Sequence, residues 1–104
     1  MGSLFENLIV SEFIKRNHHL YQLREYHYWR DSNGHEIDLL YKTPAGYNLF
    51  EIKSSQTVSS RYLKTMEFFE EVSGESMSSK TLIYAGRENQ DRSGFRVRSW
   101  LDIP

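Results

Sequence analysis

The chain has 104 residues, of which 38% are hydrophobic, 14% aromatic and 26% charged, and its formal net charge is −1. This composition predicts one globular domain over residues 1–104 and excludes a disordered chain. The near-neutral charge excludes a protein that coats nucleic acid through its overall charge, so nucleic-acid binding would require a local basic face. The lack of cysteine excludes disulfides, thiolate metal sites and cysteine nucleophiles.

The chain shows no pattern of membrane insertion or secretion. No apolar run approaches the roughly 20 residues that span a bilayer, and the N-terminus lacks a signal-peptide pattern. We therefore expect a cytoplasmic domain without membrane contact. Because the sequence opens directly into a helical pattern, we also expect that it is a fragment of a longer protein.

The first predicted element is a helix over residues 4–16 that ends at Asn17, with His18 and His19 in a connection. Ser3 and Glu6 have the spacing of a capping box. The predicted apolar stripe consists of Phe5, Leu8, Ile9, Phe13 and Ile14. Residues 21–23 fit no element.

Three strands follow, over residues 25–30, 35–42 and 47–54, and turns at 31–34 and 44–46 predict an antiparallel meander. Alternation along the second strand separates one face from the other, with Ile37, Leu39 and Tyr41 opposite Glu36, Asp38 and Leu40. In the third strand it places Phe50 and Ile52 opposite Leu49, Glu51 and Lys53.

The second half of the chain predicts a helix capped by Ser59 or Ser60 and ended by Gly74. Its apolar positions are Tyr62, Met66 and Phe69. A polar loop over residues 75–80 leads to a buried strand at 81–85, and residues 96–100 form a possible last strand. The predicted order is α, β, β, β, α, β with an optional final β.

Three charged residues on adjacent strands predict a chemical site. Asp38 and Glu51 can converge at one end of the sheet, and Lys53 shares the face of Glu51. Two carboxylates can hold a hard cation such as Mg²⁺ or Mn²⁺, which prefers oxygen ligands. A metal-bound water and a lysine that orients it, or stabilises charge on phosphate, would then cleave a phosphodiester.

A structural role accounts for the same residues. Charges at a spacing of two are common on a solvated sheet face, where a cross-strand ion pair contributes only about 0.2–1 kcal/mol. Glu6 can serve as a third carboxylate or as part of the helix cap. Glu36 can be a further ligand or an edge charge. The apolar setting of Glu51 and Lys53 favours a functional role, because an unused buried charge is costly.

Other kinds of site are disfavoured. The histidines lack metal spacing at His18, His19, His27 and His35. The chain has neither a phosphate-binding loop of the G-x-x-x-x-G-K-[ST] type nor the Gly-x-Ser-x-Gly turn of serine hydrolases. Near the C-terminus a group of arginines either contacts phosphates or lies in a solvated loop: Arg87, Arg92, Arg96 and Arg98.

This arrangement resembles the PD-(D/E)XK nuclease superfamily, with Ile37 in place of the proline. More specifically, the segments Phe5-Glu6-Asn7-Leu8, Glu36-Ile37-Asp38-Leu39-Leu40, Glu51-Ile52-Lys53-Ser54-Ser55 and Tyr84-Ala85-Gly86 resemble the uncharacterised C-terminal domain of bacterial and archaeal AAA-type ATPases. The resemblance covers most of the chain.

The resemblance implies a restriction-endonuclease-like α/β (α+β) fold with an αβββαβ core and a mixed sheet flanked by helices. It implies a site of Glu6, Asp38, Glu51 and Lys53, in which the three carboxylates bind Mg²⁺ or Mn²⁺, with Glu36 and Gln56 as accessory residues. DNA and an N-terminal ATPase module are the implied partners.

Three functions remain open from the sequence. The first is a Mg²⁺-dependent nuclease, and the second is an inactive DNA- or protein-recognition domain that regulates the ATPase, because site geometry must carry any functional claim. The third, a toxin-antitoxin or defence-related interaction domain, differs from the second mainly in its partner. Three aromatic residues either contact a second copy or another domain, or belong to the core: Trp29, Tyr47 and Trp100.

Overall fold

A computed structural model describes residues 4–19 and 25–102. Within these residues the elements are α1 (Leu4–His19), β1 (His27–Arg30), β2 (Glu36–Thr43), β3 (Gly46–Lys53), α2 (Arg61–Ser73), β4 (Met77–Tyr84), β5 (Gln90–Arg92), β6 (Phe95–Ser99) and a 3-10 helix (Trp100–Asp102). The strands form one six-stranded sheet in the order β1-β2-β3-β4-β6-β5. The fold is therefore α+β, and the predicted αβββαβ order is confirmed.

The first three strands form the predicted antiparallel meander. The turn between β1 and β2 is organised by Asp31, whose Oδ1 accepts hydrogen bonds from the backbone NH groups of Asn33 at 3.0 Å and His35 at 2.8 Å. Strands β2 and β3 are joined by a tight turn through Pro44 and Ala45. Turn-forming side chains thus fix the register that places the charged strand ends side by side.

The chain then crosses over through α2, so that β4 runs parallel to β3, and β6 runs parallel to β4. Parallel strands end at the same edge of a sheet. The last residue of β3, Lys53, is paired in register with Tyr84, the last residue of β4. This carboxyl edge carries the charged residues identified from the sequence.

Both faces of the sheet are buried, one under α1 and the other under α2. On the α1 face, Ile9 and Phe13 of the helix pack against the sheet residues Leu39, Tyr41, Phe50, Ile52 and Ile83. On the α2 face, Leu63, Met66 and Phe69 of the helix pack against the sheet residues Ile37, Leu40, Leu49, Leu82, Tyr84, Phe95 and Val97. A sheet covered on both sides explains why β3 and β4 contain long apolar runs.

Strand β2 contains a β-bulge at the candidate site. Its register with β1 shifts by one residue between His27 and Trp29, which leaves an extra residue in β2 at Asp38–Leu39. Ile37 lies on the α2 face, whereas Asp38 and Leu39 both line a cavity beneath α1. The bulge breaks the alternation, so the prediction that Ile37 shares a face with Leu39 and Tyr41 was wrong, as was the prediction that Asp38 shares a face with Leu40. Leu40 lies opposite Leu39 and Tyr41, as predicted.

Several predicted boundaries are also corrected. Helix α1 continues to His19 rather than ending at Asn17, since no glycine or proline stops it. Strand β1 begins at His27 rather than residue 25, and β4 begins at Met77 rather than residue 81. The sequence did not predict β5 or the final 3-10 helix. The expected cap at Ser3 and residues 21–23 lie outside the described residues.

The helices confirm part of the predicted patterning. Gly74 ends α2 in the left-handed conformation, at φ 64°. Ser60 precedes α2 but its side chain makes no capping hydrogen bond. Ile9 and Phe13 are buried as expected, whereas Leu8 and Ile14 are exposed, so the stripe of α1 is narrower than predicted.

The three aromatic residues with an open role contact other rings of the domain. Trp29 and Tyr47 pack edge-on against Phe69, with ring centroids 5.0 Å and 5.3 Å away. Trp100 packs against Phe5 at 6.0 Å. All three therefore contribute to packing within the domain. Among the described residues, neither helix has the length and apolarity required to cross a membrane.

Gly46 is expected to be essential for the contact between the β2–β3 turn and the loop before β4. Its φ is +127°, and a Cβ atom there would lie 2.4 Å from the backbone oxygen of Ser76. Gly46→Ala should lower the free energy of unfolding by about 3 kcal/mol, because strain and a backbone clash add.

Gly34→Ala is the matched control for this substitution. Gly34 also has a positive φ, +89°, but a Cβ atom there would meet nothing within 4 Å. The control should lose only about 1 kcal/mol. Urea unfolding of both variants measures the difference, and equal losses would contradict a specific clash at Gly46.

Candidate active site

Asp38 is attached to the neighbouring strand through its side chain. Its Oδ2 accepts a hydrogen bond from the backbone NH of Ile52 at 2.8 Å. The bulge in β2 aims the Asp38 side chain, and the bond to β3 then fixes its orientation. As a result, one oxygen of the carboxylate is held by protein and the carboxyl group lies at the edge of the sheet beside Glu51.

Glu51 lies on β3, directly after the buried residues Leu49 and Phe50, and is itself only 4% exposed. Its Oε1 has no hydrogen-bond partner among the described residues. Leaving a buried polar group unsatisfied costs about 1–3 kcal/mol, and more if the group is charged. The arrangement therefore requires a proton or a cation at this carboxylate.

Lys53 extends along the same face, as alternation predicted. Its Nζ lies 3.8 Å from Glu51 Oε2 and 5.5 Å from the centre of the Tyr62 ring on α2. The side chain is 39% exposed, whereas that of Glu51 is 5% exposed. The ammonium group therefore lies where the buried acid meets solvent, and a bound ligand can reach it.

The two carboxyl groups have strongly perturbed acidities. Burial raises the pKa of Asp38 to about 6, although the hydrogen bond from Ile52 opposes this shift. Burial and then the charge of Asp38 raise the pKa of Glu51 to about 8, and the charge of Lys53 opposes this shift. Near neutral pH and without a cation, Glu51 therefore retains a proton.

Glu6 approaches this pair from α1. Together with Asp38 and Glu36 it lines a cavity of about 270 Å³ between α1 and the first two strands. Its charge raises the pKa of both Asp38 and Glu51. The structure thus places Glu36 beside Asp38, and it places Glu6 close enough to influence both Asp38 and Glu51.

Gln56 lies on the other side of Lys53. It lines a second cavity, at the carboxyl edge of β3 and β4, together with Arg87 and Arg92. The sequence suggested Gln56 as an accessory residue because it follows Lys53 closely. The structure places it toward the arginines rather than in the cavity shared by Glu6 and Asp38.

The donor set suits a weakly coordinated divalent cation. Among residues 4–19 and 25–102, no group of three or more His, Asp or Glu side chains is arranged to hold a metal ion. Mg²⁺ nevertheless binds proteins through one or two carboxylates and keeps several waters. Asp38 and the unsatisfied Oε1 of Glu51 fit that requirement, and Glu6 fits a role through a bridging water.

The fold and the site define an α+β domain with a buried glutamate, a partly buried aspartate and a lysine at the carboxyl edge of a mixed sheet. The chain belongs to the family described as "Domain of unknown function (DUF4143)", which matches residues 1–102. Comparison with curated proteins and with solved structures gives no match.

Proposed function

We propose that this domain is a Mg²⁺- or Mn²⁺-dependent nuclease that hydrolyses phosphodiester bonds in DNA. The observation that carries the proposal is the Oε1 atom of Glu51, which is buried and has no hydrogen-bond partner among the described residues. A buried carboxylate is stable when it is protonated, paired or bound to a metal. Lys53 approaches the other oxygen, Oε2, so Oε1 is available to a cation.

Asp38 and Glu51 are the proposed metal ligands, and Glu6 acts directly or through a water. When bound, a divalent cation lowers the pKa of a coordinated water and screens the charge of the phosphate. The chain contributes the geometry. The hydrogen bond from the Ile52 NH to Asp38 Oδ2 fixes the Asp38 carboxylate, and burial excludes competing water from the Glu51 carboxylate. Glu36, in the same cavity as Asp38 and Glu6, is a proposed accessory acid.

Lys53 is the proposed activating residue. Its ammonium group can donate to the attacking water or to a phosphate oxygen, where negative charge develops in the transition state. The adjacent Glu51 and the Tyr62 ring hold the side chain near the acid pair. Gln56, the second accessory residue, would contact the substrate beyond Lys53.

The finer classification and the partners belong to the same proposal. The confirmed αβββαβ order and the acid pair support membership of the PD-(D/E)XK nuclease superfamily. By the sequence resemblance, we propose an AAA-type ATPase module in the same protein as a partner and the cytoplasm as the location. The proposed ATPase partner is tested by comparing the DNA cleavage of a purified protein that contains the ATPase module with the cleavage by the isolated domain.

The purified domain should cut DNA in Mg²⁺ or Mn²⁺ and should not cut it in EDTA. The substrates should include linear, nicked and branched DNA, with RNA as a comparison. Glu51→Gln, purified in parallel, controls for contaminating nuclease because it keeps the shape of the side chain but removes its charge. If no substrate is cut with either cation, or if Glu51→Gln cuts as well as the native domain, the proposal fails.

A second function, a non-catalytic domain that recognises DNA or protein for the ATPase, is favoured by one observation. The described residues contain no preformed group of three metal ligands, and a domain that only recognises a partner needs none. Calorimetric titration with Mn²⁺ separates the two functions: a nuclease binds the cation through Asp38 and Glu51, whereas a purely recognising domain binds none.

A further inference from the structure

The structure divides the four C-terminal arginines between the two faces of the sheet. Arg96 and Arg98 of β6 pair in register with Thr81 and Ile83 of β4, and Ile83 belongs to the α1 face. Arg98 also forms an ion pair, with its Nη1 2.9 Å from Asp91 Oδ1. These two arginines therefore point away from Glu51 and Lys53, which lie on the α2 face.

Arg87 and Arg92 lie on the side of Glu51 and Lys53. Arg92 pairs with Phe95, which belongs to the α2 face. Both arginines line a cavity of about 460 Å³ that begins at the carboxyl edge, at Tyr84, and extends along the sheet to Arg92. Tyr84 also lines this cavity, and Lys53 pairs with Tyr84 in register. Adjacent strands are about 4.8 Å apart, so the cavity begins one strand away from Lys53.

The loop that carries Arg87 is held on both sides. The Tyr84 hydroxyl donates to the backbone oxygen of Glu88 at 2.8 Å and accepts from the NH of Glu88 at 3.2 Å. The NH of Ala85 donates to the oxygen of Ser55 at 2.9 Å. The backbone around Arg87 is therefore fixed before any ligand binds, which lowers the entropic cost of binding.

Close packing around Gly86 also holds this loop in place. A Cβ atom at Gly86 would lie 2.3 Å from the Tyr84 ring and 2.9 Å from the backbone oxygen of Gln56. The Gly86 oxygen accepts a hydrogen bond from the buried hydroxyl of Ser99 at 2.7 Å. The segment from 84 to 88 thus packs directly on the loop that follows Lys53, which joins the cavity to the candidate active site.

The charge of this cavity favours an anion. In the described part of the chain, neither Arg87 nor Arg92 is within ion-pair distance of a carboxylate. Glu88 is the acid that lines the cavity, so the two guanidinium groups outnumber it. Arginine binds phosphate through paired, directional hydrogen bonds.

We propose that Arg87 and Arg92 bind the backbone phosphates of a DNA strand that passes over Tyr84 and presents the next phosphodiester to Lys53. The inference rests on the proposed nuclease function and assigns the substrate-binding groove of the same site. Contacts to phosphates fix the position of a strand without reading its bases. Binding in this groove is therefore expected to be independent of the DNA sequence.

Binding of a fluorescently labelled DNA duplex, measured by anisotropy in EDTA, tests the groove without cleavage. The double variant Arg87→Ala/Arg92→Ala should bind roughly 10-fold or more weakly, and the slope of log K against log salt should fall by about 1.8, or about 0.9 per phosphate contact. Arg92→Ala should weaken binding and Arg92→Lys should restore part of it, which separates a charge effect from misfolding.

Arg96→Ala is the matched control, because Arg96 is also exposed and on the same hairpin but lies on the opposite face. It should bind DNA within about twofold of the native domain. Equal losses for Arg96→Ala and Arg92→Ala, an unchanged salt slope in the double variant, or no DNA binding at all would overturn the groove. Arginine-dependent binding without cleavage in Mg²⁺ or Mn²⁺ would overturn only the nuclease function.

Discussion

Lys53→Ala is expected to lower metal-dependent DNA cleavage by at least about 100-fold while the domain stays folded. Losing one preorganised charge that stabilises the transition state typically costs about 100- to 1,000-fold in rate. Lys53 is partly exposed, and its Nζ lies 3.8 Å from Glu51 Oε2. Single-turnover cleavage measures the effect on rate, and circular dichroism with thermal unfolding measures the effect on the fold.

Lys42→Ala provides an unusually close control. Lys42 also lies on a central strand, with its Nζ 2.9 Å from Glu75 Oε1 and 5.3 Å from the centre of the Tyr47 ring. Both substitutions therefore remove one lysine, one ion pair and one contact with a tyrosine ring. The Lys42 variant should keep its cleavage rate. A Lys53 variant that cuts as fast as the Lys42 variant would remove Lys53 from the proposed mechanism.

The sequence predicted the position of Lys53 because β3 is a regular strand. Alternation places Leu49, Glu51 and Lys53 on one face, and the structure confirms it: Leu49 packs under α2, and Lys53 approaches Tyr62 of that helix. A strand buried on both sides tolerates no slip in register, since a slip would exchange its two faces. Periodicity is therefore a reliable guide for this half of the site.

The same reasoning fails in β2, for a physical reason. A β-bulge adds one residue and restarts the alternation. Nothing in the side chains of Asp38 and Leu39 predicts this bulge. The pairing with β1 produces the bulge, so it is a tertiary property. The sequence identified Asp38 as a site residue, but the structure is required to show its bond to Ile52.

Tertiary contacts also explain why β4 is longer than predicted. The residues that follow Met77, from Ser78 to Lys80, are polar and resemble a loop. They form a strand because β3 and α2 supply partners: Ser79 donates to Asn48 Oδ1 of β3 at 2.7 Å, and Lys80 donates to Glu70 Oε1 of α2 at 2.7 Å. Local propensity is weaker than such pairing. For the same reason, the sequence could not show that β5 would bring Arg92 to the cavity that Gln56 lines.

Without a divalent cation, the domain is expected to lose stability as the pH rises from about 4 to about 8. Glu51 and Asp38 have pKa values in the folded state of about 8 and about 6, above the ordinary values of 4.5 and 3.8. The folded state therefore binds protons more tightly than the unfolded state. Stability is highest below the unfolded pKa values, falls as the pH rises from the unfolded to the folded pKa of each group, and levels off above the folded pKa.

Glu51→Gln removes the larger of the two pH-dependent losses of stability, because the pKa of Glu51 is shifted further than that of Asp38. At pH 9 in EDTA the variant should be more stable than the native domain by on the order of 2 kcal/mol, or roughly 8–16 °C in Tm, whereas at pH 5 the two should nearly agree. Glu71→Gln, at an exposed position on α2, should leave the pH profile unchanged. Thermal unfolding at three pH values measures all of these effects.

A cation that binds Asp38 and Glu51 should reverse the loss in the native domain. Ligand binding to the folded state raises stability, and here the cation must displace a proton from Glu51, so Mg²⁺ or Mn²⁺ should raise Tm more at pH 9 than at pH 5. Glu51→Gln should show little of this increase. A native Tm that does not change with pH would mean that the pKa of Glu51 is the same in the folded and unfolded states. A native Tm that does not respond to the cation at pH 9 would remove Glu51 as the proposed metal ligand.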